Sequence, residues 1–410
     1  MLSKIPFRTL LTPLELLACV LSVACAFIGC AEPGSPPPVK YERAQLSGVV
    51  KLAAGREHAC AILRSGRVMC WGDNTWGQLG ARASDGLLAV DVPGIDNAAE
   101  IACGEVQSCA VTAAGELWCW GGGIWLASAS GRSGTEAYRV EMGAPVAKVA
   151  AGYAHTCALL VDGSVHCWGV TCSGQAGVVA RRECPSESQR LCVVEPSKIV
   201  ESDVTALSAG EGHTCVIKEG QVWCWGEELV TNTASDGPNP CSERCDPQCE
   251  GRPTRIAGIE GAVAISSGSR HVCVVEPRGL VCWGSNADGR TGAASELSSE
   301  PNVIPLVAQG VATTDEFSCA LTSDGSAACW GGRVLTGIDR VPGTGAVHLP
   351  GAMGLKQLAG TSRALCALHT SEKVSCWFPG AGGLQEVKIE AWAEQTSGLL
   401  PSESLNEQHH

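Results

Sequence analysis

The sequence predicts an all-β chain built from seven copies of one four-stranded unit. Three observations predict it. A cysteine, then eight or nine intervening residues, then Cys-Trp occurs seven times, beginning at Cys60 and ending at Cys376-Trp377. The first cysteines of the copies are spaced 49, 48, 58, 58, 46 and 47 residues apart. The composition is rich in turns, with Gly 50 against Phe 4 and Tyr 3. A fixed period of roughly 20–50 residues marks a repeat architecture, in which neighbouring units bury one another's apolar faces. An apolar content of 45% is enough for a sizeable core.

The segment before the repeats reads as targeting and tether. Lys4 and Arg8 form a basic start, and Leu16 to Gly29 is an apolar run of secretory length, too short for a comfortable membrane helix. It ends in Phe27-Ile28-Gly29-Cys30, which resembles a lipobox, so residues 1–29 are expected to be a signal peptide and Cys30 the lipidated residue. Leu16-Leu17-Ala18-Cys19 is a second, weaker lipobox, and a plain secretory signal with Cys30 as a bystander is the bland alternative. Residues 30–43 contain Pro33, Pro36, Pro37 and Pro38 and read as a semi-rigid tether. The chain is thus expected to be exported and lipid-anchored in a cell envelope, at the outer membrane if the host is Gram-negative. Residues 44–393 hold the repeats, and 394–410 read as a polar tail.

Export changes the meaning of Cys 24. In an oxidising compartment such cysteines form disulfides, whereas in cytosol they would suggest metal or redox chemistry. The formal net charge of −13 suits an exported acidic body and excludes a phosphate-neutralising nucleic-acid binder.

Within each copy, Asp162-Gly163 and its counterparts Ser65-Gly66, Ala114-Gly115, Glu219-Gly220, Arg278-Gly279 and Asp324-Gly325 are hairpin turns between apolar runs. Ser371-Glu372-Lys373 replaces the glycine in copy seven, so an irregular turn is expected there. The paired cysteines lie symmetrically about the turn and face each other across the hairpin, at a separation a disulfide accepts. The expected bridges are Cys60–Cys70, Cys109–Cys119, Cys157–Cys167, Cys215–Cys224, Cys273–Cys282, Cys319–Cys329 and Cys366–Cys376. A strand such as Val204–Gly210 precedes the hairpin, and a shorter run such as Thr254–Gly258 opens the unit. Four strands are the content of a propeller blade. Copy one lacks an opening run, and Leu384–Glu390 is expected to supply it and close the ring.

A glycine before each hairpin recurs at Gly55, Gly104, Gly152, Gly210, Gly268 and Gly360, with Thr314 in copy six. It implies positive φ or a close backbone approach near the axis. Three residues later stand His58, His155, His213 and His271, with Gln107, Phe317 and Arg363 elsewhere. A ring of histidines invites a metal reading, but a column filled by Gln and Phe in sister copies fits a structural role. Cys103 replaces the alanine of Ala54 and Ala151 and reads as a buried free thiol.

Gly72-Asp73-Asn74-Thr75-Trp76-Gly77-Gln78-Leu79-Gly80 after Cys70-Trp71 resembles the signature of the regulator of chromosome condensation repeat. Gly169–Gly177 and Gly284–Gly292 are weaker copies. The resemblance implies a seven-bladed β-propeller used as an interaction platform. Members include an exported β-lactamase inhibitor that binds protein through one face, and a guanine-nucleotide exchange factor gives the family its name. A cysteine pair in every blade departs from the usual family pattern and suits an exported version.

The chain shows no P-loop, nucleophile elbow, zinc-protease helix or dinucleotide fingerprint. The reading assigns no catalytic residue, no cofactor and no metal ligand. Two insertions stand out, with Cys172, Cys184 and Cys192 in one and Cys241, Cys245 and Cys249 in the other. Disulfides are expected, including one between the insertions; zinc is the alternative. The hairpin turns define one face of the ring. The loops after Cys-Trp-Gly, with Trp76, Trp125 and both insertions, belong to the opposite face. Trp76 and Trp125 are therefore partner-binding candidates, unless they pack under their own loops, while Trp118 and Trp223 are expected in the core. The expected function is a monomeric, non-catalytic, protein-binding or scaffolding propeller that touches the membrane only through its lipid. A carbohydrate-binding or enzymatic propeller is the alternative, and an exchange factor stands behind it because small GTPases are cytosolic.

Overall fold

The computed structural model describes residues 41–81, 88–122, 134–178, 182–184, 187–227, 251–293, 297–332, 345–362, 364–377 and 384–392. The expected lipidation site at Cys30, Trp125 and the insertion cysteines Cys241, Cys245 and Cys249 lie outside them. Arg43–Glu390 forms one compact unit, which holds all the blades.

All described elements are strands, arranged as seven antiparallel blades around an axis. Blade one runs Val49–Ala54, His58–Leu63, Val68–Gly72 and Leu88–Asp91 from the axis outward. Blades two to seven begin at Ala98, Val146, Val204, Ala264, Ala308 and Leu355. The second strand of each blade is buried on both faces, as His155–Leu160 illustrates, because it is sandwiched between its neighbours in the ring. Blade three is widened by the first insertion, whose Arg182–Cys184 pairs with the long outer strand Glu187–Val200.

The cysteines are directly opposed in register in all seven blades, as in Cys157↔Cys167, and all seven bridges form with Cα–Cα of 4.0–4.2 Å. Their sulfurs lie inside the core clusters between blades, so each bridge also fills volume.

Three expectations are corrected. First, the outer strand follows the hairpin of its own blade instead of opening the unit. Thr254–Arg255 completes blade four, and blade one has its own outer strand at Leu88–Asp91. The terminal run is accordingly divided. Leu384–Glu386 completes blade seven, whereas Lys388 and Ile389 pair in parallel with Leu88 and Ala89 outside blade one. The short amphipathic runs between copies could be phased either way by pattern; strand pairing decides.

Second, the turn of blade seven is regular. Glu372 takes φ 62°, the left-handed position that glycine holds at Gly66 and Gly163. Third, blade seven is shifted by one residue. Its axial turn is Thr361, whose N–H donates to Ala364 as Gly55 does to His58, so Thr361 and Ala364 occupy the columns expected for Gly360 and Arg363.

Of the two explanations for the axial glycine, close approach is right. A Cβ at Gly55, Gly104, Gly152 or Gly210 would stand 2.0–2.5 Å from the carbonyl oxygen of the same position in the next blade. None of these glycines has positive φ.

Candidate binding face at the axial mouth

The chain turns at the axis once per blade, just after the close-packed glycine. The next residue in each turn rims the mouth of the axial channel: Arg56, Glu105, Tyr153, Glu211, Ser269, Asp315 and, in blade seven, Ser362. The channel behind them encloses about 380 Å³ and is walled by small and hydroxylated side chains such as Ala151, Ser208 and Thr313. Arg56 spans the mouth. It pairs with Glu105 of blade two at 2.9 Å and Asp315 of blade six at 3.8 Å, and its guanidinium lies 5.7 Å from the ring centroid of Tyr153 in blade three.

Negative charge exceeds positive at this mouth. Burial pushes the Glu105 carboxyl up to about 7, with the nearby Glu211 and Asp315 adding to the shift and Arg56 opposing it. Asp315 is raised by burial in the same way. The Oε2 atom of Glu105 is buried without a hydrogen-bond partner. The sequence reading missed this cluster. Aligning the copies on the residue after the axial glycine shows three acids in that column.

The described loops following Cys-Trp-Gly, in blades one, three and five, lie on the same face as the mouth. The first residue of the loop donates to the axial turn of its own blade: Asp73 to Glu57 at 2.9 Å, Val170 to Ala154 at 2.7 Å and Ser285 to Arg270 at 2.8 Å. This confirms the face assigned to Trp76. Trp76 does not pack under its loop; it is 57% exposed. The loop beneath it is fixed from within. The Asp73 carboxylate accepts from Thr75 Oγ1 at 2.6 Å and Gln78 Nε2 at 2.7 Å, and Gln78 Oε1 accepts from the Trp76 N–H at 2.8 Å. Asn74 Oδ1 accepts from the Leu79 N–H at 3.1 Å. Trp118 and Trp223 are partly buried and pack against core clusters without being sealed in them.

The signature loops also explain the histidines. The carbonyl of Gln78 receives the indole N–H of Trp120 and the hydroxyl of Ser108, both from blade two at 2.9 Å. Ser108 Oγ in turn lies 2.7 Å from His58 Nε2. The same set recurs as His155–Thr214–Gln175–Trp225 and His271–Ser318–Arg290–Trp330. Each set latches an odd-numbered blade to the next one. Because each hydroxyl spends its proton on the loop carbonyl, the histidine Nε2 must be the donor to it and Nδ1 carries no proton. Burial pushes His58 down to about 4 and the other three to about 3. Gln107 instead donates to Gly152 and His155 carbonyls, and Phe317 packs edge-on against Trp377.

Among the described residues, the cluster with metal-like spacing is His58, Cys60 and Cys103. Cys60 is in a disulfide, so the set lacks the ligands a metal needs. Cys103 is a buried free thiol, as expected. Cys172 and Cys192 are both disulfide-bonded.

The comparisons agree with this architecture. The family profile of the regulator of chromosome condensation (RCC1) repeat matches residues 49–78 and 146–175, in blades one and three. The chain is 28% identical over 143 residues to the serine/threonine-protein kinase-like protein CCR2 of Arabidopsis thaliana, covering 31% of this chain and 16% of that protein. Human WBSCR16 superposes with a TM-score of 0.62 at 18% identity, covering 78% of this chain and 92% of that one. Yeast RCC1 (Prp20), in a structure with Kap60 bound, superposes with a TM-score of 0.60 at 17% identity, covering 90% and 92%. Prp20p of Saccharomyces cerevisiae, studied for its binding to Gsp1p and histones, gives 0.58 at 17% identity, covering 84% and 90%. The chain carries regulator of chromosome condensation repeats, and its seven-bladed propeller shares the fold of the RCC1 structures.

Proposed function

We propose that this chain is an exported, lipid-anchored, non-catalytic propeller that binds a protein partner on the face bearing Trp76 and the axial mouth. One observation carries the reading: a large indole is held 57% exposed on a loop made rigid by its own side chains. Leaving an indole in water is costly, and Trp is enriched where protein partners dock. The acidic mouth beside it adds electrostatic selectivity for a basic surface on the partner. Relatives of the same fold are protein-binding, Prp20 with Kap60 among them, which supports the class of activity and leaves the partner open. Disulfides in every blade favour an oxidising compartment, and the Pro-rich tether would present the face away from a membrane.

The test is affinity capture from envelope extract with the full chain and two variants. A partner retained by the wild type and by Val263→Asp, which alters a 71%-exposed residue at the opposite, hairpin-turn end of blade five, should be lost with Trp76→Ala. Equal retention by Trp76→Ala would overturn the reading. Fatty-acid labelling that persists in Cys30→Ser would overturn the anchor.

A further inference from the structure

Cys103 does not stand alone. It ends the innermost strand of blade two, where the sister blades place Ala54, Ala151, Ala209, Ser267, Thr313 and Gly360. Its Sγ, the Sγ of Cys60 in blade one and a ring nitrogen of His58 all lie within 4.8 Å of one another. Ser108 Oγ touches both sulfurs, at 3.9 Å from Cys103 and 3.8 Å from Cys60. His58 is fully buried, and its unprotonated Nδ1 has no hydrogen-bond partner. A free thiol, a disulfide and a neutral base are thus sealed together at the seam between blades one and two.

We propose that this cluster is a thiol–disulfide exchange site, at which Cys103 moves the Cys60 crosslink from within blade one to the seam between blades one and two. The step needs no external oxidant. Cys103 gives up its proton and its sulfur attacks Cys60 Sγ. The Cys60–Cys103 bond forms as the Cys60–Cys70 bond breaks, and Cys70 leaves as a thiolate that takes up a proton. One disulfide and one thiol are present before and after. The Cys103 proton passes to hydroxide, and the Cys70 thiolate regains one from water; His58, which burial holds at about 4, is too weak a base to take it.

Exchange proceeds through the thiolate. Burial pushes the Cys103 thiol up to about 12, against weaker help from Ser108. The site is therefore idle near neutral pH and is activated by alkaline pH or by opening of the seam. The product staples blade one to blade two directly below Arg56 and Glu105. It would lock the mouth on that side and leave Cys70 as a new thiol.

The experiment is non-reducing peptide mapping of the full chain after export, with acid quenching and alkylation in denaturant. The wild type should show Cys60–Cys70 with free Cys103 near neutral pH. A Cys60–Cys103 peptide with free Cys70 should grow in about a hundredfold faster between about pH 7 and about pH 9, since the thiolate fraction rises tenfold per unit. The other six bridges should stay intact, and Cys103→Ala, which installs the residue of the sister blades, should abolish the change. Cys70→Ala should be recovered with Cys60 bonded to Cys103. Either result overturns the proposal: folded Cys70→Ala with both thiols alkylatable, or wild type in which the new peptide appears only together with general scrambling. If Cys70→Ala fails to fold, the wild-type rate decides.

Discussion

The N–H of Val49, the first residue of blade one, donates to the carbonyl of Glu372 in the turn of blade seven at 3.0 Å. The same bond links blade one to two (Ala98 to Gly66, 2.9 Å), two to three (Val146 to Gly115, 2.9 Å) and six to seven (Leu355 to Gly325, 2.8 Å). The ring therefore closes with the contact used at its other seams. A side-chain clasp reinforces it: Gln357 donates to the Leu52 carbonyl at 2.6 Å and accepts from the Leu52 N–H at 3.0 Å.

Glu372 holds this closing position at φ 62°, where a residue with a Cβ costs about 1 kcal/mol relative to glycine. Glu372→Gly should raise stability by about 0.5–1 kcal/mol, because the exposed ion pair it forfeits with Arg64 contributes little. A urea midpoint that falls would show that the ion pair outweighs the backbone strain.

His213 is fully buried, and neither ring nitrogen has a partner. The hydroxyl that serves His155 is Thr214 of the next blade; the equivalent residue facing His213 is Val272. Val272→Thr should stabilise the fold by about 1 kcal/mol through the restored hydrogen bond. Thermal melting of the variant against wild type checks this, and a loss would mean that the added hydroxyl is itself left unsatisfied.

Gly152→Ala would place a Cβ 2.5 Å from the Gly210 carbonyl oxygen and 2.3 Å from His155 Cε1. The carbonyl cannot retreat because it belongs to the ring of close backbone contacts, and the His155 ring is fully buried. A loss of about 3 kcal/mol is expected, at the upper end of overpacking costs. Gly310→Ala, whose new Cβ meets its nearest atom at 3.9 Å, should stay within about 0.5 kcal/mol of wild type. Similar losses in the two would remove the crowding argument.

Acid should weaken the fold in a defined window. The four buried histidines are neutral when folded and are held at about 3 to about 4, against roughly 6.5 in an unfolded chain. Above that unfolded value both states are neutral and stability is complete. As pH falls below it, the unfolded chain binds protons that the folded one cannot, and stability drops by up to about 1.4 kcal/mol per pH unit for each histidine until the folded values are reached. Glu105 works the other way. Its folded value of about 7 makes the folded state take a proton first, adding stability as pH falls towards the ordinary carboxylate range. Four groups against this one, Asp315 and Glu227, all raised by burial, leave a net loss. Urea midpoints between about pH 7.5 and about pH 4 should fall, and less steeply in His155→Gln, which copies Gln107. An unchanged slope in that variant would show that His155 is not among the titrating groups.

The sequence by itself determined the repeat, the hairpin with its opposed cysteines, the buried Cys103 and the face to which Trp76 belongs. These features depend on periodicity and chain direction, which are local. It also marked the axial column, where five of the seven turns carry glycine because the neighbouring carbonyl leaves no room for a Cβ, while Thr314 and Thr361 hold the other two. Only the tertiary structure decided the phase of the outer strand, because a run such as Thr254–Arg255 is equally strand-like before or after its blade and pairing with Trp223 and Cys224 fixes it. The acidic mouth was likewise invisible along the chain. Arg56, Glu105, Glu211 and Asp315 are about fifty or more residues apart in sequence, and the ring brings them to one opening. The exposure of Trp76 and the meeting of Cys103 with the Cys60–Cys70 bridge belong to the same class. Each depends on how adjacent blades pack, which a repeat pattern read one copy at a time does not contain.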